Sequence, residues 1–300
     1  MATPAAVAEA VAVPAARGQS PASQAWRRLL SSPVARAGLA IVCAFALMAV
    51  LTPALHHYDA KTDSNLGLRL KPPAGEHPFG TDSLGRDILV RVLHGTRVSL
   101  GLGVSAVAVA SVIGSLLGLI AGYAGRRVDL VIMFSMDILL AFPSTLLAIA
   151  IVAMIGPGLR NSLLAISVVS IPIYARIARG AVLELREQEY VTAARGLGGS
   201  GRRILLRHIF PNALPPLIVQ TTLAIAFAIL EAAALGFLGL GAQPPTPEWG
   251  AMLADSYKYF TSGAWWVFFF PGAAIMLSVL GFNLLGDGLR DALDPRLRTE

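Results

Sequence analysis

Two carboxylic acids, Asp137 and Glu231, stand inside long stretches otherwise free of Asp, Glu, Lys and Arg. An ionisable side chain in such a run costs several kcal/mol unless it faces protein or a wet cavity. The functional expectation makes them pathway-lining groups, with Glu231 able to meet an amino group. The structural alternative is an interhelical hydrogen bond. Other chemistry is sparse. His56 and His57 adjoin after the first apolar run, but neighbours on a helix point apart and no third ligand accompanies them. They read as interfacial histidines, not as nickel ligands. No His/Cys group has zinc spacing, and no Ser/His/Asp grouping carries a nucleophile signature. Gly196–Arg203, GLGGSGRR, echoes a phosphate loop. However, Arg202 stands in the lysine position, Arg203 in that of the magnesium-binding hydroxyl, and a helical pattern precedes it instead of a strand. The chain is therefore expected to be no enzyme, with no metal and no cofactor of its own, and any nucleotide hydrolysis is assigned to another chain.

The elements that must position these residues follow from composition. Of 300 residues, 55% are hydrophobic and only 14% charged, against about 25% charged in soluble domains. A membrane protein in a lipid bilayer is the expectation. Charge-free stretches place six helices at roughly 35–56, 98–124, 131–156, 160–180, 214–240 and 264–286. Their apolar character is all-round, which argues against a β-barrel. Arg176 and Arg179 are expected to snorkel from the fourth helix toward headgroups. Residues 1–34 read as a disordered, Ala/Pro-rich tail with Trp26, Arg27 and Arg28 as a surface anchor, and an uncleaved first helix is favoured over a signal peptide. The single cysteine, Cys43, leaves no intrachain disulfide.

Basic residues set the orientation. The two tails, residues 125–129 and the loop 176–207 hold 16 Lys plus Arg, and the opposite side holds 8. Both termini are thus expected in the cytoplasm. The net charge of +6 is a topology signal, with no nucleic acid implied. The expected organisation is a tail (1–34), a first helix (35–56), an extracytoplasmic loop (57–97), a five-helix core (98–286) and a cytoplasmic tail (287–300).

Within the core, the loop at about 183–213 is expected to form a helix–turn–helix. Gly198, Gly199 and Gly201 allow the reversal, and Pro211, Pro215 and Pro216 break the second helix before the fifth span. Thr192, Ala193, Ala194 and Gly196 give the first helix a low profile suited to a groove. An ordinary basic loop is the bland alternative.

This segment resembles the EAA loop of bacterial ABC importer permeases, whose pattern is EAA, three residues, Gly, nine residues, then I-x-L-P. Ala193, Ala194, Gly198 and Pro211 match, while Thr192, His208 and Phe210 depart from it. EYVTAARGLG and RHIFPN are similar to the dipeptide/oligopeptide/nickel permease family. So are, in order, HPFGTDSLGRDILVRVLHGTRVSL, PPTPEWGAMLAD and GDGLRDALDPRLR. The resemblance covers roughly 30–298 and points to the second permease subunit. It implies an all-α type I ABC importer transmembrane domain. The implied partners are a homologous permease in a heterodimer, one or two ATP-binding subunits carrying ATP and Mg, and an extracytoplasmic binding protein. It also implies that Thr192, Ala193, Ala194, Arg195, Gly196, Gly198 and Pro211 form the ATPase contact. Residues 79–100 and 247–255 either receive the binding protein or cap the bundle. Di- or oligopeptides are the expected cargo in a bacterial inner membrane, and a secondary transporter or channel is the rival class.

Overall fold

The computed structural model describes residues 21–55, 58–59, 63–259 and 261–293. His56 and His57 lie outside the described residues, as do 1–20 and 294–300. The chain is all-α, with no named strand among the described residues. In order the helices are α1 Pro21–Ser31, α2 Pro33–Leu55, α3 Ile88–Ala124, α4 Arg126–Leu140, α5 Ser144–Ile155, α6 Leu159–Leu185, α7 Glu189–Gly196, α8 Gly201–Ile204, α9 Phe210–Phe237, α10 Trp249–Ser256 and α11 Trp266–Leu293. Five stretches are long and apolar enough to cross a membrane, and α4 with α5, a pair bent by 90°, makes a sixth when counted as one span.

The observed boundaries differ from the expected ones for identifiable reasons. The tail expected to be disordered to residue 34 is helical from Pro21. Its amphipathic α1 buries Leu29 against Ala35 and Ala292 and exposes Trp26. The second span begins at Ile88, well before 98, because Asp87 caps it by accepting from the Val90 amide. At about 1.5 Å per residue, α3 is ~55 Å long and projects beyond a ~30 Å hydrocarbon layer. The third span is no straight helix 131–156. Pro143 supplies no N–H, the residue before it is biased away from helix, and the chain turns between Ala141 and Pro143. The prolines near 211–216 do not break the fifth span either. Gly201 to Phe237 is continuous, with a π turn at Leu205–Ile209 just ahead of Pro211.

Small residues let the central pair meet. On α3, Gly114, Gly118 and Gly122 fall on one face, and α6 lies so close that a Cβ at Gly118 would stand 2.3 Å from the Ala175 carbonyl oxygen. Cβ atoms at Gly114 and Gly122 would likewise strike the Ile171 carbonyl and Val182. In lipid, where helices gain no hydrophobic driving force from one another, this close packing holds them together.

One end of the bundle carries a polar cap. Asp82 is buried and accepts from the Leu84 and Arg86 amides at 2.8 and 2.9 Å. It also accepts from Arg86 Nε at 2.7 Å and Arg91 Nη1 at 2.5 Å. That pairing is what permits charged residues inside the first turns of α3. Trp249 is fully buried, donates to the Val92 carbonyl at 3.1 Å and meets Phe45 edge-on. Trp266, at the start of α11, donates to the Thr81 carbonyl, so α11 begins at the cap and ends at the opposite pole. There α1 and the last turns of α11 pack together, where Gly288 faces Ala35.

Candidate functional site

At the pole opposite the cap, the connection from α6 to α9 folds as a short helix, a turn and a second short helix. Val191 of α7, Ile204 of α8 and Ile209 of the π turn are each at most 1% exposed and root the loop in the main core. Arg186 ties its start to the Gly122 carbonyl at 3.3 Å. The turn is a Schellman motif: Gly198 N–H bonds to the Arg195 carbonyl and Gly199 N–H to the Ala194 carbonyl, both at 3.0 Å. Gly198 has φ +80°, which disfavours any side chain there. Between these anchors the expected contact residues Thr192, Ala193, Arg195, Gly196, Gly198 and Pro211 are exposed, and Ala194 is half-buried. Leu197 protrudes at 90% exposure. Arg202, Arg203 and Arg207 form a basic face beside Pro211. The loop presents small and basic residues on a firmly seated base, a form suited to insertion in a groove of another protein.

The second constellation is a polar seam between the bent third span and the helices behind it. Near the loop, Arg179 grips Asp129 with two bonds, at 2.5 and 2.7 Å. Further along, Arg176 Nη2 donates to Asp137 Oδ1 at 2.7 Å, with both side chains more than half exposed. Arg176 and Arg179 thus pair with carboxylates and do not simply snorkel. The two arginines are one turn apart on α6, a spacing visible in the sequence whose partners were not. Beyond them lies Glu231 of α9, buried, with Oε1 accepting from Ser144 Oγ at 3.1 Å and Thr145 Oγ1 at 2.8 Å. Those hydroxyls belong to the first turn of α5, whose N-terminus has no side-chain cap of its own. Glu231 therefore makes the interhelical hydrogen bonds and also lines a cavity of about 280 Å³ beside the 90° bend. Asp137 and Glu231 do not meet one another directly; the bend separates them.

At the cap, Glu248 went unnoticed in the sequence. Its carboxyl accepts from the Gly250 and Ala251 amides at 2.9 and 2.8 Å and from Ser99 Oγ at 3.1 Å, capping α10. Burial pushes its titration above the ordinary 4.5, against the opposing pull of these donors. An acid followed by Trp-Gly at a helix start is the one signal that could have marked it. The described residues contain no group of three His, Cys, Asp or Glu able to hold a metal.

Comparison with known proteins adds the family. Residues 91–299 match the family described as binding-protein-dependent transport system inner membrane component. Residues 20–73 match the N-terminal TM domain of oligopeptide transport permease C. A dipeptide transport system permease protein of Alkalihalophilus pseudofirmus is 52% identical over 93% of this chain and 91% of its own length. A di/tripeptide transport system permease protein of Pseudomonas aeruginosa is 48% identical over 93% of each chain. A glutathione transport system permease protein of Pectobacterium atrosepticum is 44% identical over 94% of this chain and 93% of its own. Among solved structures, an inward-facing MetNI methionine ABC transporter chain superposes with a TM-score of 0.55. At 20% identity over 69% of this chain and 98% of that one, it supports the fold alone. These matches show the family: the chain belongs to the binding-protein-dependent transport system inner membrane components, as an α-helical, multi-pass permease subunit of an ABC importer.

Proposed function

We propose that this permease imports di- or oligopeptides across a bacterial inner membrane. It forms the translocation pathway with a homologous permease and receives cargo from an extracytoplasmic binding protein. One or two separate subunits hydrolyse ATP with Mg, so this chain holds no cofactor of its own. The names of its relatives support the peptide cargo. Both termini and the loop between α6 and α9 face the cytoplasm, a reading supported by the basic residues gathered at that pole and by the packing of α1 on the end of α11.

The loop carries the mechanism. Thr192, Ala193, Ala194, Arg195, Gly196, Gly198 and Pro211 form the surface that enters a cleft of the ATPase. Because Val191, Ile204 and Ile209 fix the loop to the core, displacement of that surface when the ATPase dimer closes is carried into α6 and α9. Those helices carry Arg176, which pairs Asp137 on the bent span, and Glu231, so the pathway side of the bundle moves with them. The rooted yet exposed α7–α8 turn is the observation that carries this reading. It is tested by Gly198→Val in the assembled transporter. No atom lies within 4 Å of a Cβ at this position, so the strain of the substitution falls first on the backbone of the turn. A β-branched residue at positive φ costs at least about 1–2 kcal/mol. Uptake and binding-protein-stimulated ATP hydrolysis should both fall by about tenfold or more, and wild-type levels of both would refute the docking role.

A further inference from the structure

We infer that the Glu231 cavity is a subsite for a primary ammonium group, the amino terminus of a peptide passing through the chain. The inference rests on the peptide reading above and specifies which group of the cargo this chain recognises. Glu231 is only 5% exposed. Its Oε1 accepts from both Ser144 and Thr145, while its Oε2, equally buried, has no hydrogen-bond partner. A buried carboxylate oxygen without a donor is costly and is a rare defect in native structures. A cationic donor would satisfy it.

The surroundings fit that donor. The cavity has about 280 Å³, room for several waters or for an ammonium group and the residue that bears it. Neither Lys nor Arg lines it, and the hydroxyls of Ser144 and Ser170 are its other polar groups. A single carboxylate with neutral hydroxyls suits an ammonium, whereas a metal ion would need further ligands that the described residues do not supply. The cavity also borders the outer face of the chain, since Leu140, Phe142, Ile173 and Phe227 line it and are each 37% exposed or more. That face is not built for lipid. One turn along α6 from Ile173 is Arg176, and one turn back along α4 from Leu140 is Asp137. Their ion pair lies open on the same surface within the membrane-crossing segments. Charges so placed belong beside water or protein.

The test uses the complete transporter in liposomes, with the binding protein loaded to equal occupancy by Ala-Ala or by N-acetyl-Ala-Ala, and reads single-turnover import. Glu231→Gln keeps an oxygen for Ser144 and Thr145 but removes the charge. It should slow import of Ala-Ala by about tenfold, the loss of one charge-assisted hydrogen bond, and leave the acetylated peptide unchanged. Equal slowing of both peptides would show a purely structural clamp, and slowing of neither would show no role; each overturns the subsite while peptide import stands. A wild-type transporter that imports neither peptide overturns the peptide reading and the subsite with it. If the Gln variant does not assemble, Glu231→Asp is read in the same way. The import ratio of Ala-Ala to its acetylated form should fall, and an unchanged ratio overturns the proposal.

Discussion

Glu248 shows how much one buried acid can set. It holds the first turn of α10 against α3 through Ser99, and Gly236 of α9 leaves it room, since a Cβ there would lie 2.1 Å from Glu248 Oε2. Burial favours its neutral form in the folded chain, so the folded state binds the proton more tightly than the unfolded state does. Below pH 4.5 both states are protonated and the group costs nothing. As pH rises past 4.5 the unfolded state ionises first, and stability is lost until the folded carboxyl ionises as well. Thermal unfolding of wild type should therefore decline relative to Glu248→Gln as pH rises past 4.5, and level once the folded carboxyl has ionised. A difference that stays flat or rises would contradict this. Asp137 and Glu231 were legible as residues that needed partners, because apolar sequence flanks them. Their partners were not legible. Arg176 lies on another helix, and Ser144 and Thr145 are ordinary residues until the bend at Pro143 aims them at Glu231.

At the scale of elements, uncharged stretches located the five unbroken spans but placed the start of α3 ten residues late. Charge tells where a helix enters lipid, whereas capping and pairing tell where it begins. Asp87 and the Asp82–Arg91 pair therefore extend α3 past the charge boundary. Proline departs from expectation in both directions. Pro143 breaks a span that apolar composition had joined, and Pro211, Pro215 and Pro216 sit inside a continuous one because the π turn before them absorbs the misfit. Gly114, Gly118 and Gly122 recur every four residues on α3, and only the fold shows that they face α6. Gly118→Ala puts a methyl group into the Ala175 carbonyl. It should destabilise the α3–α6 pair by roughly 1–3 kcal/mol, read as a lower melting temperature in detergent. Gly101→Ala, where no atom lies within 4 Å, should leave the melting temperature unchanged or higher. Equal behaviour of the two would show that close packing does not hold this pair together.

For the whole molecule, the separation into two poles explains the division of labour. A cap locked by buried ion pairs and tryptophans lies at one end, and a rooted loop with an exposed basic face lies at the other. Between them runs a seam of acid–base contacts along a span bent by 90°. Resemblance carried in the cap segment, the loop and the last helix made the family legible from sequence. The bent span is local geometry that an apolar window averages away, and so the cavity was not legible. The central claim is that this chain conducts peptides only as part of an ATP-driven assembly. The most direct test measures Ala-Ala uptake into liposomes containing this chain with its second permease, ATPase subunits and binding protein, each omitted in turn. Uptake should require all of them together with internally supplied ATP and Mg. Uptake by this chain without the ATPase subunits, driven by an ion gradient or by diffusion, would contradict the account.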